Sequence, residues 1–276
     1  MSAPGFQLAE QAAERYERWV GTFMTPMGEA LIDAAGVGPG QEVLDVACGT
    51  GFVTRLAAER AGAGHVTGVD VNPGMLAVAG RTCPRGITFT QAPADRLPFP
   101  DNSFDVLLCQ QAVQFFPNTA AALVEFGRVL RPGGRLAATV WNGPADNPFL
   151  AAQTAGVRAA LGDEVADVIV DAMGGGSDRW LAEAATAAGL AEVTVQLSAR
   201  MVTIPGAADY LRDQVAATPW GAKVATAGPE AQRAFVENGV AALQPYIGDD
   251  GTATVPFTAN LLLARSAGGA VASGQA

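Results

Sequence analysis

Apolar residues in the first half of the chain come in short runs, each followed by a stretch with helical spacing. Val43, Leu44 and Val46 form one run, interrupted only by Asp45. Small residues follow at Ala47, Cys48, Gly49 and Gly51, and then Phe52, Val53, Leu56 and Ala57 recur on one side of a helix. The pattern reads as a buried strand over Glu42–Ala47, a tight turn, and an amphipathic helix reaching about Arg60, where Gly62 and Gly64 stop it. His65–Asp70 is a second strand. Asn72 offers an N-cap and Pro73 a first helical position for a helix over Pro73–Gly80. Ile87–Thr90 reads as a third strand and Val106–Cys109, after a Pro-broken loop, as a fourth. A helix over Thr119–Leu130, ended by Pro132, Gly133 and Gly134, leads to a fifth strand at Leu136–Trp141. Alternation of this kind predicts a parallel sheet with right-handed crossovers.

The flanking regions break that rhythm. Residues 8–20 have the spacing of an amphipathic helix carrying Tyr16, Trp19 and Val20. Thr22–Gly28 reads as a break, and Ala30–Ala35 as a second short helix. Beyond Trp141, helices are expected over Asn147–Leu161, Asp163–Ala172 and Arg179–Ala188, then an alternating strand at Glu192–Ile204. Residues 206–247 are mostly helical, and Phe257–Ala264 is a last strand. The domain organisation expected is an N-terminal helical lid (1–35) and one α/β domain (36–265) with helical cap insertions at about 143–180 and 205–250. A disordered Gly/Ala/Ser-rich tail (266–276) follows.

Composition narrows the partners. The chain has 276 residues, 49% hydrophobic and 16% charged, with a formal net charge of -10, so a large core is easily built. An acidic chain without a basic run argues against nucleic acid and against an anionic membrane surface. No uncharged apolar run is long enough to span a bilayer. Three cysteines without paired spacing and a single His, His65, argue against a disulfide framework and a Cys/His metal site; no metal is expected. A reducing cytoplasm is the expected location. The oligomeric state stays open, a homodimer among the options.

The Gly-containing turn implies a nucleotide-type ligand, because small residues let backbone approach it closely. Dinucleotide sites use G-x-G-x-x-G, but here Thr54 stands at the third position. Asp45, just before the turn, would repel a pyrophosphate and attract an ammonium or sulfonium. S-adenosyl-L-methionine carries both and has no phosphate. Asp70, ending the second strand, suits two ribose hydroxyls.

Four segments now stand in order: VLDVACGTG (43–51), VTGVDVNPGML (66–76), ADRLPFPDNSFDVLLCQ (94–110) and RVLRPGGRLAATVW (128–141). Together they resemble the class I S-adenosylmethionine-dependent methyltransferases, in the subgroup similar to ubiquinone/menaquinone-biosynthesis methyltransferases. The resemblance covers residues 40–141 and is diffuse beyond. It implies a doubly wound, Rossmann-like α/β fold whose seven-stranded, mostly parallel sheet has order 3-2-1-4-5-7-6 with the last strand antiparallel. It also implies roles. Asp45, Ala47 and Gly49 would line the methionine part, Asp45 acting on the ammonium partly through water, within the turn that includes Cys48 and Gly51. Asp70 would take the ribose hydroxyls, and Val71 and Met75 would lie beside the adenine. Ala94 and Asp95 would sit at the adenine edge, and Cys109 and Gln110 near the transferable methyl. Two departures stand out: Ala47 replaces the first Gly of the usual turn, and Pro93 replaces an acid that many relatives place two residues before Asp95.

Such a cofactor brings the activated group, so the protein's task is to hold an acceptor in line and exclude water. A general base is required only if the acceptor must first lose a proton. His65 opens its strand about 16 Å from the ligand end, at ~3.3 Å per residue, and is assigned to the surface. No catalytic residue is assigned; Tyr16 is the best-placed weak hydroxyl. Gln111, Gln114, Phe115 and Phe116, with Gln110, would form a substrate floor, against the alternative of cap and loop packing. Trp141 and Asn142 leave the fifth strand at the same rim. Tyr16, Trp19, Phe23 and Met24 would form the lid, with Tyr16 and Trp19 facing the acceptor, against the alternative of helix packing; Trp180, Tyr210, Trp220 and Tyr246 are candidate cap aromatics. The expected function is methyl transfer to a small-molecule acceptor, at oxygen or else at carbon or nitrogen. The alternative is a cofactor-binding enzyme of the same fold that runs a non-methylating reaction such as a cyclisation.

Overall fold

The computed structural model describes residues 10–174, 178–214 and 219–267. Seven strands form one sheet: β1 (Val43–Val46), β2 (Val66–Asp70), β3 (Thr88–Gln91), β4 (Phe104–Gln110), β5 (Leu130–Trp141), β6 (Leu190–Ile204) and β7 (Ala253–Ser266). Their order is β3-β2-β1-β4-β5-β7-β6, as the resemblance implies. The first five pair in parallel, while β7 runs antiparallel to both β5 and β6. Among the described residues ten α-helices accompany them: α1 (Glu10–Ala35), α2 (Phe52–Ala61), α3 (Pro73–Thr82), α4 (Thr119–Val129), α5 (Pro148–Leu161), α6 (Asp163–Gly174), α7 (Asp178–Ala187), α8 (Ala207–Gln214), α9 (Pro219–Thr226) and α10 (Pro229–Leu243).

Alternation along the central strands sorts the core into two layers. Val43, Val106, Leu108 and Ala137 face α1, α2 and the helices after β5, packing with Leu31, Ile32, Val53, Ala57, Phe149 and Phe235. Their neighbours Leu44, Leu107, Cys109 and Leu136 face α4 and α7, packing with Leu123, Phe126 and Leu181. Asn72 caps α3 as its side-chain type predicts, accepting from the N–H groups of Gly74 and Met75 at 2.8 and 3.3 Å.

Four local expectations change. First, residues 10–35 are one helix, with Pro26 inside it, not two helices and a break. Gly28 lies against α2, where a Cβ would come within 2.7 Å of Phe52 and 2.8 Å of Leu56; its role is close packing. Met24 and Met27 are buried in the same contact, and this burial outweighs the poor local propensity. Second, β4 begins at Phe104, two residues before the expected Val106, and the loop read from sequence joins it to β3. Third, Pro132-Gly133-Gly134 lies within β5, at a register shift between β4 and β5, and does not merely end α4. Fourth, β7 starts at Ala253. Past Trp141, which pairs with Ala259, β7 has a neighbour on one side only, so Pro256 is tolerated there. This extension, with the end of β6 paired to it, carries Val202, Ile204, Val255 and Phe257 under the helices after β5, which rest on it. Residues 268–276 of the expected tail lie outside the described residues. No described helix is long and apolar enough to cross a membrane.

Candidate functional site

A cavity of about 360 Å³ opens at the carboxyl ends of β1, β2 and β4. This is where the side chains and loops of an open parallel sheet can diverge to admit a ligand. Its floor begins at the turn after β1. Ala47, Gly49 and Gly51 all hold positive φ, 58°, 56° and 82°. Gly49 faces open space with nothing within 4 Å of where a Cβ would stand, so the backbone itself forms the wall. Gly51 is fixed by both conformation and contact: a Cβ there would sit 2.5 Å from the Cys83 sulfur.

Two carboxylates flank this turn. Asp70 accepts from the Gly49 N–H at 2.8 Å through Oδ2 and from the Asn72 N–H at 2.8 Å through Oδ1. Burial raises its pKa, and these backbone donors oppose the rise. Asp45 is 1% exposed and accepts a 2.6 Å hydrogen bond from the Thr54 hydroxyl. Burial, reinforced by Asp70, lifts its carboxyl to about 7 despite that bond. The same Thr54 that breaks the dinucleotide pattern is therefore the partner of Asp45.

The loop over 92–103 supplies another wall, with Pro93, Ala94 and Asp95. Arg128 pins it, donating to the carbonyls of Phe99 at 2.8 Å and Leu97 at 3.0 Å and to Asp101 at 2.7 Å. Glu125 returns the contact by accepting from the Leu97 N–H at 2.9 Å. On the far side, Tyr16 and Met24 of α1 close over the opening. Arg55 holds Glu17 at 2.7 Å and Arg81 holds Glu14 at 2.9 Å, tying α1 to α2 and α3. Burial, with Glu17 and Asp70 adding to it, pushes the Tyr16 phenol up to about 12.

Of the residues singled out from sequence, Ala47, Gly49, Asp70, Val71, Met75, Ala94, Asp95 and Gln110 line the cavity on the side assigned to the cofactor. Tyr16, Gln111, Phe115, Phe116 and Trp141 line it as well, with the cap aromatics Tyr210 and Trp220. Others do not reach it. Asp45 is walled off by its bond to Thr54, and Gly51 is turned toward Cys83 and Ala79. Cys48 points at Gly68, while Cys109 is fully buried in the core layer beneath the sheet. Burial drives both thiols well above their usual pKa. Gln114 lies off the wall, with both polar atoms of its amide buried and unpaired. Asn142 is a structural residue, donating to the Thr258 hydroxyl at 3.2 Å. The side chain of Trp19 lies outside the described residues. His65 sits in an exposed turn before β2, 2.7 Å from Glu42.

Sequence reasoning missed Phe149, Leu150 and Gln153 of α5, which complete the wall. Their placement depends on Asn147, fully buried, which donates to the carbonyls of Asn142 at 2.8 Å and Thr258 at 2.9 Å and accepts from the Thr258 N–H at 2.6 Å. An Asn before Pro148 signals a helix start, but nothing local reveals that it also clamps β7. Among the described residues there is no cluster of His, Cys, Asp and Glu suited to a metal.

Residues 44–138 match the family model described as "Methyltransferase domain". The chain carries a class I S-adenosylmethionine-dependent methyltransferase domain. It is 36% identical over 138 residues to aklanonic acid methyltransferase DauC of Streptomyces sp. (strain C5), across 48% of this chain and 63% of that one. It is 42% identical over 126 residues to the ubiquinone/menaquinone biosynthesis C-methyltransferase UbiE of Ectopseudomonas mendocina, across 44% and 49%. It is 35% identical over 196 residues to nocamycin O-methyltransferase of Saccharothrix syringae, across 69% and 64%. The chain thus spans from about half to just under two thirds of the length of these curated relatives. Phosphoethanolamine N-methyltransferase 2 of Haemonchus contortus shares the fold at TM-score 0.60 and 21% identity, over 94% of this chain and 58% of that one.

The domain's cofactor fits the residues present. Among the described residues the cavity wall has no Lys, Arg or His to meet a phosphate; its carboxylates are Asp70 and Asp95, with Asp45 just behind. These hydrogen-bond-accepting carboxylates suit a cationic, phosphate-free adenosine ligand.

Proposed function

We propose that the protein transfers a methyl group from S-adenosylmethionine to a small, largely apolar acceptor, most simply at oxygen. One observation carries this: a single cavity joins the carboxylate-flanked turn of the methyltransferase domain to an aromatic chamber under α1 and α5. The O-methyltransferase and aklanonic acid methyltransferase names among its relatives support the natural-product class of acceptor.

The cofactor, when bound, supplies a methyl group activated on sulfonium sulfur. The protein's residues supply the rest. Asp70 would hold the ribose hydroxyls, Val71 and Met75 would flank the adenine, and Ala94 and Asp95 would meet its edge. Ala47 and Gly49 would cradle the methionine end. Asp45 would act through that wall as a charge rather than as a contact, since a low local dielectric keeps its field strong. Gln110, Gln111, Phe115 and Trp141 would position the acceptor. The α1 lid and the cap helices α5, α6 and α8–α10 would exclude water. Cys48, Cys83 and Cys109 form no disulfide with one another, which fits a reducing compartment, and we place the protein in the cytoplasm.

Calorimetric titration with S-adenosylmethionine and S-adenosylhomocysteine tests the core of this reading; absence of binding by both refutes it. Incubation with a methyl-labelled donor and a hydroxylated polyketide or quinone then follows the label. Acceptor consumed without label uptake would instead favour the non-methylating alternative.

A further inference from the structure

The two glutamines that end β4 are poorly explained by folding. The Nε2 of Gln110 and both polar atoms of the Gln111 amide are buried without a hydrogen-bond partner. Both residues line the cavity, and Gln111 is only 9% exposed. Its backbone is held at φ 55°, a region that non-glycine residues seldom adopt. The Gln111 N–H is bonded to the carbonyl and hydroxyl of Thr139 at 2.9 and 3.2 Å, so this conformation is anchored to β5. Buried, unpaired amides and a strained backbone at one cavity position are the marks of a group kept for a ligand.

The remaining chemistry of the wall says what kind of ligand. Among the described lining residues its ionisable groups are Tyr16, Asp70, Asp95 and Tyr210, with no His, Lys, Arg or Cys. Tyr16 keeps its proton at neutral pH, since its pKa is pushed up to about 12. Asp70 is committed to the Gly49 and Asn72 N–H groups. With Asp70 and Asp95 assigned to the cofactor, no His, Lys or Cys stands on the described wall to take a proton from a neutral alcohol, yet amide N–H donors stand ready for oxygen.

We propose that the acceptor is an oxygen acid, a phenol or enol conjugated to a carbonyl, which enters already ionised and is held by the side-chain amides of Gln111 and Gln110. This rests on the methyltransferase reading above. The step then balances without a protein base. The anionic oxygen forms its bond to the methyl carbon, the carbon–sulfur bond breaks, and the electron pair stays on sulfur. The proton has already been left in solvent. Neutral amide donors orient the anion without the charge of an Arg or Lys, which would blunt its nucleophilicity.

The test is a calorimetric titration at pH 7.5 of the full chain loaded with S-adenosylhomocysteine. The probes are 2-hydroxy-1,4-naphthoquinone, a vinylogous acid, and 2-naphthol, of the same skeleton without the conjugated carbonyls. The acid is expected to bind at least about tenfold tighter. Gln111→Gly relieves the positive φ, so it should melt no lower than the wild type and bind S-adenosylhomocysteine unchanged. It should lose about tenfold or more for the acid and stay within about twofold for 2-naphthol. Equal binding of the two probes, binding of neither, or loss of both in Gln111→Gly would overturn the proposal. Failure of the wild type to bind S-adenosylhomocysteine, measured first, would overturn the cofactor reading and this inference with it.

Discussion

Replacing Asp45 by Asn tests how the turn after β1 recognises a cation. The ordinary carboxyl value is 3.8, and burial lifts Asp45 to about 7. At about 1.4 kcal/mol per tenfold, that difference corresponds to about 4 kcal/mol. The sign follows from which state binds the proton more tightly. Between pH 4 and 7 the native protein holds a proton that the unfolded chain has lost. The contribution of Asp45 to native stability is therefore greatest below pH 4 and falls as pH rises to 7, where the buried carboxyl must ionise. Asp45→Asn should flatten that decline, so that at pH 8 the variant unfolds at equal or higher urea concentration than the wild type. Cofactor binding should change in the opposite sense. A cationic tail favours the ionised carboxylate and lowers its pKa in the complex, so binding below pH 7 releases a proton. Wild-type affinity for S-adenosylmethionine should rise about tenfold per pH unit from 5 toward 7 and level off above. In Asp45→Asn it should be weak and nearly flat. Isothermal titration across pH 5–8 reads both. Wild-type affinity that is flat over this range, or undiminished binding by the variant at pH 8, would refute the placement of the methionine end beside Asp45.

Other perturbations probe the walls. Asp70→Asn keeps an acceptor for one backbone N–H but removes the charge, and should weaken S-adenosylhomocysteine binding by about 10- to 100-fold in the same titration. Arg55→Ala leaves Glu17 without its 2.7 Å partner and should cost about 1–3 kcal/mol; faster amide hydrogen exchange over residues 10–20, with α2 unchanged, is the signature. Gly156→Ala would set a Cβ 2.6 Å from the Phe235 carbonyl oxygen, forcing α5 and α10 apart. It should cost about 1–3 kcal/mol in urea unfolding while leaving cofactor affinity intact.

The parts of this fold that declare themselves in sequence are those whose physics is local. β1, β2 and β4 are short apolar runs, and the turn after β1 must use small residues, so the order of motifs is visible from residues 43–141 alone. The acids at 45 and 70 are visible for the same reason: a charge in an apolar run needs explaining. What sequence does not show is which charge touches the ligand. Asp45 reads as lining the methionine part, partly through water, and only the structure shows Thr54, at the start of α2, holding it behind the wall. The N-terminal helix misleads in the same way. Pro26 and Gly28 are helix breakers by propensity, yet Gly28 is required because α2 presses against it.

The acceptor end is hidden more deeply, because its wall is assembled by pairings distant in sequence. Phe149 and Leu150 reach the cavity only because Asn147 is bonded to Thr258, more than a hundred residues away, on the extension of β7. Gln111 is legible as a polar residue after a strand, but not as one held at positive φ with an unpaired amide. Those two properties turn an ordinary loop residue into the strongest statement the chain makes about its acceptor. Strain and an unmet hydrogen bond both cost stability, and a packed core of this size would tolerate a Gly or an apolar side chain at 111 at lower cost. Retaining Gln there is economical only if a bound oxygen repays both, which is why the fate of the acid probe in Gln111→Gly decides the matter.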